Sequence, residues 1–244
     1  FEQKNILIYA LNPLVIIELN GNLHTEVNLL FLLMSTVYLG YKNRLFYAAC
    51  CFGLAIATKL IPLILLPLIL VYLKWKKGLI FCGVACAVFV VLMWAHIGWT
   101  EVANFYQSLE LYFASFEFNA GFYYLLRYVL LAAYWEHWDF HAYFMDIKWV
   151  ESFLSADLYL YSKRFLQLCF IGVVLVQTFK LFRKNTPNQL MKALILVYAA
   201  YFVFSTTVHP WYICPLVLCS VGTRLRFAVL WSFMIVCTYS TYQT

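Results

Sequence analysis

Long apolar stretches run through this chain at roughly 6–19, 25–40, 45–73, 79–97, 121–134, 165–182, 190–207, 211–222 and 226–240, and most charged residues fall between them. Stretches of this kind enter hydrocarbon only as helices, which satisfy their own backbone N–H and C=O groups. Crossing a bilayer takes about 20 helical residues, so several of these stretches are too short to cross alone. With 65% hydrophobic and only 11% charged residues over 244 positions, and a mean hydropathy of +0.80, the composition excludes a soluble globular domain. The fold class expected is all-α: a polytopic integral membrane bundle with broken or re-entrant helices and interfacial helices on the extracytoplasmic side.

The chain opens on Phe1, without an initiator Met or a charged leader followed by a cleavage site, and we read it as a fragment with earlier spans before it. All eight cysteines lie within apolar segments without CxxC spacing, as small hydrophobes in helix packing do. The net charge of +6 comes from basic residues that cap helices rather than form a stripe, which points to membrane orientation and away from nucleic acid.

Basic clusters occur at Lys42/Arg44, Lys74/Lys76/Lys77, Lys180/Arg183/Lys184 with Lys192, and Arg224/Arg226, in short connections free of Asp and Glu. The positive-inside tendency makes these cytoplasmic. Segments 19–26, 98–163 and 205–212 then fall outside, with Glu18, Glu26, Glu101, Glu110, Glu117, Glu136, Asp139, Asp146, Glu151 and Asp157. Glu2, at the N-terminal end, is left unplaced.

Because both flanks of 45–73 are cytoplasmic, that segment must rise and return. Its middle reads ATKLIP, and Pro62 disfavours helix at Ile61, so two half-helices of about 14 residues, each near 20 Å, are expected to meet there. A broken backbone at this depth needs protein or a water-filled cavity around it, which places Lys59 in a cavity. By the same logic 121–134 is expected as a re-entrant or interfacial helix, and the aromatic-rich 98–163 as an extracytoplasmic interfacial layer of one transmembrane domain spanning 1–244.

Four polar groups interrupt the apolar pattern. In LNPLVIIELNGNLHTE, residues 11–26, ionisable side chains at membrane depth imply a lined polar site, while an ordinary polar loop is the plainer alternative; Gly21 between two Asn marks a turn. Lys59 suits a phosphate or pyrophosphate; the alternative is a structural pair with a buried carboxylate such as Glu18. The block SLELYFASFEFNAGFYYLL, residues 108–126, interleaves aromatics with Glu110, Glu117 and Asn119, as sugar or isoprenoid contacts require and as an interfacial anchor also would. TTVHPWY, residues 206–212, puts His209 on the same face. A metal site from His24 and His209 lacks the spacing of ligand pairs, and no nucleophile-elbow signature is present.

The blocks NPLVIIELNGNLHTE, GLAIATKLIPLILLPLIL, SLELYFASFEFNAGFYYLL and HPWYICPL, in that order, resemble the bacterial polyprenyl-phosphate-sugar-dependent mannosyltransferases of the GT-C superfamily over about residues 6–220. The resemblance implies an inverting transfer of a hexose, mannose by the family, from a polyprenyl-phosphate carrier to a lipid or glycan acceptor at the outer face of a bacterial inner membrane. The chain would form the C-terminal part of such a fold. Members typically carry an essential Asp or Glu in their first extracytoplasmic loop, so the catalytic carboxylate is expected upstream of residue 1, with Glu18 and Glu26 as weaker candidates. By resemblance, Glu18, His24 and Glu26 match a GxxHxE-like stretch, Lys59 a helix-break lysine, Asn119 an FN pair and His209 an HP motif; Tyr212 follows in the same block. No cofactor is expected. A lipid-linked-sugar transporter or flippase, a non-catalytic membrane subunit, and another lipid-carrier enzyme such as an O-antigen ligase or polymerase are the competing classes. The lack of an internal repeat and the crowding of polar residues on one face weigh against the transporter.

Overall fold

The structure, a computed structural model, describes residues 5–96, 104, 107, 117–136 and 147–243. Among these it is helical, its single β-type contact being a bridge between Phe118 and Thr207. The helices are α1 (Ile6–Ala10), α2 (Pro13–Val15), α3 (Glu26–Tyr41), α4 (Leu45–Thr58), α5 (Leu66–Tyr72), α6 (Trp75–His96), α7 (Gly121–Glu136), α8 (Ile147–Arg183), α9 (Pro187–Phe204), α10 (Cys214–Val221) and α11 (Phe227–Met234). Three are long and apolar enough to cross a membrane, over Trp75–Trp94, Leu160–Arg183 and Pro187–Phe204; the bent pair Pro13–Gly21 and Glu26–Tyr41, at 111°, makes a fourth if counted as one span. Large apolar side chains such as Phe31, Trp94, Leu168 and Phe182 are exposed on the helix surfaces, which is the exterior expected of a protein solvated by lipid. The expected all-α membrane bundle is therefore what the chain forms.

The rise and return of 45–73 is visible in the packing. Phe52 meets Phe81, Gly53 lies against Ala85 and Val88, and Thr58 shares a groove with Leu92 and Met93. These contacts advance in step along both helices, so α4 and α6 run parallel. Gly78 meets Leu70, so α5 runs opposite to α6 and therefore opposite to α4. The break differs in detail from the sequence expectation. Lys59, extended at φ −162° and ψ 133°, ends α4, and the return begins with the 3-10 turn Ile61–Leu65. Pro62 thus starts the second leg, where its missing N–H costs no helical bond, rather than interrupting the first.

Asn185 ties the opposite end together. Its Nδ2 donates to the carbonyls of Val71 and Tyr72 at 3.2 and 3.0 Å, placing the α8–α9 connection against the end of α5. The clusters Lys74/Lys76/Lys77 and Lys180/Arg183/Lys184 therefore share one end of the bundle, joined by Lys42/Arg44 because α4 starts where α6 starts. Residues 23–26, 58–60 and 205–209 lie at the other end.

The helix around 165–182 is longer than the apolar stretch that marks it: it runs from Ile147 to Arg183, and its part long and apolar enough to cross a membrane is Leu160–Arg183. At Asn20-Gly21-Asn22 the turn occurs as expected, yet the residue with left-handed backbone is Leu23, at φ 50°, and not Gly21.

Candidate functional site

The polar site is assembled from three connections at one end of the bundle. Lys59 reaches from the α4–α5 break and donates from Nζ to Glu26 Oε2 at 2.8 Å; the carboxylate is 4% exposed and the lysine 21%. Glu26 is the first residue of α3. The same ammonium stands 3.6 Å from the ring centroid of Tyr212, in the 3-10 turn Pro210–Ile213. A cation over an aromatic face in a desolvated site is worth about 2 kcal/mol. An ammonium has three donors, and here one is directed at Glu26 while the Tyr212 face supports it from another side.

Beside this centre four rings stack. Trp211 lies between His24 at 4.3 Å and His209 at 4.5 Å, and Phe118 covers the far side of His209 at 4.9 Å. Phe118 is positioned by backbone pairing: its N–H donates to Thr206 O at 2.9 Å and its carbonyl accepts from Val208 N at 2.8 Å. Next to it Asn119 adopts left-handed backbone, φ 55°, which Asn tolerates better than most residues, and its amide donates to Val208 O at 3.3 Å. The ladder therefore joins the 22–25, 117–119 and 205–212 connections into one wall.

His24 Nδ1 accepts from the backbone N–H of Glu26 at 3.2 Å, so its ring proton belongs on Nε2 and the ring is neutral. Burial, and then the charge of Lys59, hold His24 below the ordinary value of 6.5. The same two causes, followed by His24 itself, hold His209 below it as well. A histidine whose folded-state pKa is depressed contributes stability that is present above the unfolded value and is lost as pH falls through the folded one. We expect the melting temperature of the purified protein to fall as pH is lowered from 7 through 6.5 and below, and we expect His209→Gln to make that pH profile shallower. An unchanged profile would show that the stacked imidazoles are not what resists the proton.

Of the seven residues singled out in the sequence, Glu26 and Tyr212 both contact the ammonium of a third, Lys59. His24, His209 and Asn119 form or brace the adjoining wall. Glu18 stands apart. The structural alternative for Lys59 was a pair with a buried carboxylate such as Glu18, and the carboxylate that the structure brings to it is Glu26. Glu18 sits in the π-helical turn Ile16–Gly21, fully buried, with Oε2 accepting from Asn22 at 3.3 Å and Oε1 without a hydrogen-bond partner among the described residues. Such π-turns recur at functional sites. Of the aromatic block, residues 108–116, with Glu110, lie outside the described residues. Among the described residues no three of His, Cys, Asp and Glu converge as metal ligands.

Trp211 and Phe118 were not singled out individually, although both adjoin residues that were. The signal for Trp211 was its place between His209 and Tyr212 in HPWY.

A groove of about 570 Å³ opens beside the Lys59 centre, between α3, α4 and α6. Asn28, Thr58, Leu92 and Met93 lie at the end near Lys59, and Phe31, Leu32 and Leu54 continue it along the helices.

A helical bundle with spans long and apolar enough to cross a membrane, carrying an ion pair on a buried carboxylate, an aromatic wall and an apolar groove at one end, is an integral membrane protein. The chain belongs to glycosyltransferase family 87, whose model matches residues 19–206, and it is accordingly a membrane glycosyltransferase acting on a sugar donor and an acceptor. No curated protein and no solved structure matches it.

Proposed function

We propose that the protein transfers a hexose, mannose by resemblance, from a polyprenyl-phosphate carrier to a lipid or glycan acceptor at the extracytoplasmic face, with inversion at the anomeric carbon. The observation that carries this is a half-buried ammonium at a helix break, paired with a buried carboxylate and standing at the head of an apolar groove. A nucleotide-sugar donor has no use for such a groove, whereas a lipid-phosphate donor needs a cation and an apolar channel side by side. Lys59 takes the phosphate, Glu26 holds the lysine in place, and the groove along Phe31, Leu54 and Met93 takes the isoprenoid chain.

In the transfer an acceptor oxygen bonds to the anomeric carbon as the bond from that carbon to the carrier phosphate breaks. The acceptor proton goes to a carboxylate, and the electron pair leaves with the phosphate oxygen, where Lys59 stabilises it. Glu26, engaged by Lys59, is poorly placed to take the proton. We therefore assign the base, as the resemblance implies, to an Asp or Glu preceding the matched blocks, with Glu18 as the weaker candidate. The wall of Phe118, His209 and Asn119 faces the sugar. The orientation rests on the basic clusters gathered at the opposite end of the bundle.

The test is transfer from radiolabelled polyprenyl-phosphate mannose by membranes containing the full-length protein, with the product's anomeric configuration read by NMR. A new glycosidic bond of inverted configuration is the expected result. Turnover of a nucleotide sugar in its place, or movement of the lipid-linked sugar across the membrane with no new bond, would refute the proposal.

A further inference from the structure

Of the two carboxylates in the polar stretch 11–26, Glu26 is held by Lys59, while Glu18 is fully buried and faces no cation among the described residues. Its Oε2 accepts from Asn22 Nδ2 at 3.3 Å, and its Oε1 has no hydrogen-bond partner among the described residues. A general base must come within hydrogen-bond reach of the acceptor hydroxyl, directly or through one water. Glu18, with no exposed surface, has no such access in this arrangement. A buried carboxyl with one oxygen unpaired is costly and calls for a reason.

The reason lies at Leu23. This residue holds left-handed backbone, φ 50°, a conformation that strains a residue with a bulky side chain and that glycine adopts freely. Its side chain is 79% exposed, so packing does not keep it there. The hydrogen bonds on either side of it do. Asn22, just before, donates its amide to Glu18 Oε2, and His24, just after, donates its backbone N–H to the Glu18 carbonyl at 2.9 Å. Both bonds end on one residue, so Glu18 closes a clamp across the strained position. The clamp leads straight into the Lys59 centre. His24 stacks on Trp211 and accepts from the N–H of Glu26, whose carboxylate accepts from Lys59 at 2.8 Å.

We infer that Glu18 is a positioning residue for the transfer: its buried carboxyl holds the Asn22–Leu23–His24 turn and so sets where Glu26 and Lys59 stand. The inference rests on the assignment of Lys59 to the donor phosphate, and it leaves the base to the Asp or Glu expected before the matched blocks. The clamp asks of Glu18 an acceptor oxygen at the end of a side chain of this length, and a glutamine amide supplies the same.

The experiment uses the full-length protein with Glu18→Ala, Glu18→Gln, Leu23→Gly and the Glu18→Ala, Leu23→Gly double variant. Transfer from radiolabelled polyprenyl-phosphate mannose reads the positioning, and melting temperature in detergent reads the clamp without a donor. Glu18→Ala is expected to lower kcat/KM by about 10- to 10²-fold, the range that a small displacement of a reacting group produces. Glu18→Gln should rescue it to within about threefold of wild type, because the amide oxygen still accepts from Asn22. Adding Leu23→Gly to Glu18→Ala should recover about fivefold or more, since glycine takes the left-handed backbone without a clamp. Leu23→Gly should also raise the melting temperature more in wild type than in Glu18→Ala, because the strain it relieves is imposed only where the clamp holds. Loss of transfer in a monodisperse Glu18→Gln protein would overturn the inference and give the proton to Glu18. Full turnover in Glu18→Ala would overturn it too, as would no recovery in the double variant or equal melting shifts in the two backgrounds. A wild type inactive with this donor would refute the donor assignment and the positioning role with it, while the melting comparison would still decide the clamp.

Discussion

Lys59→Met is expected to abolish most transfer, by about 10²- to 10³-fold, which is the usual loss when a donor to a developing negative charge is removed. The same change should destabilise the protein by about 3–5 kcal/mol, because it leaves the Glu26 carboxyl in an apolar site without its cation. The two effects must be separated, since an unfolded protein is also inactive. Glu26 is 4% exposed and its bond to Lys59 is 2.8 Å, so a Lys59→Met, Glu26→Gln double variant removes the buried carboxylate and its cation together. Replacing a whole buried pair by neutral groups is often close to neutral for stability. The double variant is therefore expected to melt near wild type while remaining inactive with a lipid-phosphate donor. If activity returned along with stability, the ammonium would serve only to hold α3 against the α4–α5 break, and the phosphate assignment would fall. Lys59→Arg gives a third reading. It keeps the charge and can stack on the Tyr212 face, but its longer planar fork carries the donors away from the point the ammonium occupies, so partial stability with reduced turnover is expected.

The apolar segments, their helical state and the rise and return around Lys59 were legible because each follows from local rules: segment length, proline, and the placement of basic residues. The partner of Lys59 was not. Glu18 and Glu26 are both acids in the same polar stretch, and a 3.6-residue period does not separate them once a π-helical turn from Ile16 to Gly21 shifts the phase and a 111° bend follows. The stack of His24, Trp211, His209 and Phe118 joins residues from three connections, and no local pattern specifies such a contact.

Gly53→Ala should be among the most damaging single-methyl changes in the bundle. A Cβ built at Gly53 stands 2.5 Å from the carbonyl oxygen of Ala85 and 2.8 Å from Val88 Cβ, so α4 and α6 approach as closely as a glycine allows. Membrane helices associate through such small residues, because lipid is as apolar as leucine and only close packing favours contact. The obstructing atom is backbone, which cannot rotate away, so the helices must separate. Overpacking of this kind costs about 1–3 kcal/mol, and Gly53→Val should cost more. The damage also extends to the candidate site, because α4 ends one residue before Lys59 and α6 lines the adjoining groove with Leu92 and Met93. Displacing α4 outward moves Lys59 relative to Glu26 on α3. Gly53→Ala is therefore expected to lower both melting temperature and turnover, even though it lies nearly two turns from the lysine. Gly83 on α6 supplies the control. Nothing lies within 4 Å of a Cβ placed there, so Gly83→Ala should be neutral or stabilising by up to about 1 kcal/mol through helix propensity. Equal losses in the two variants would mean that generic helix perturbation, and not the α4–α6 contact, sets the stability of this pair. A loss confined to Gly53→Ala would tie the geometry of the Lys59 centre to the packing of the helices beneath it.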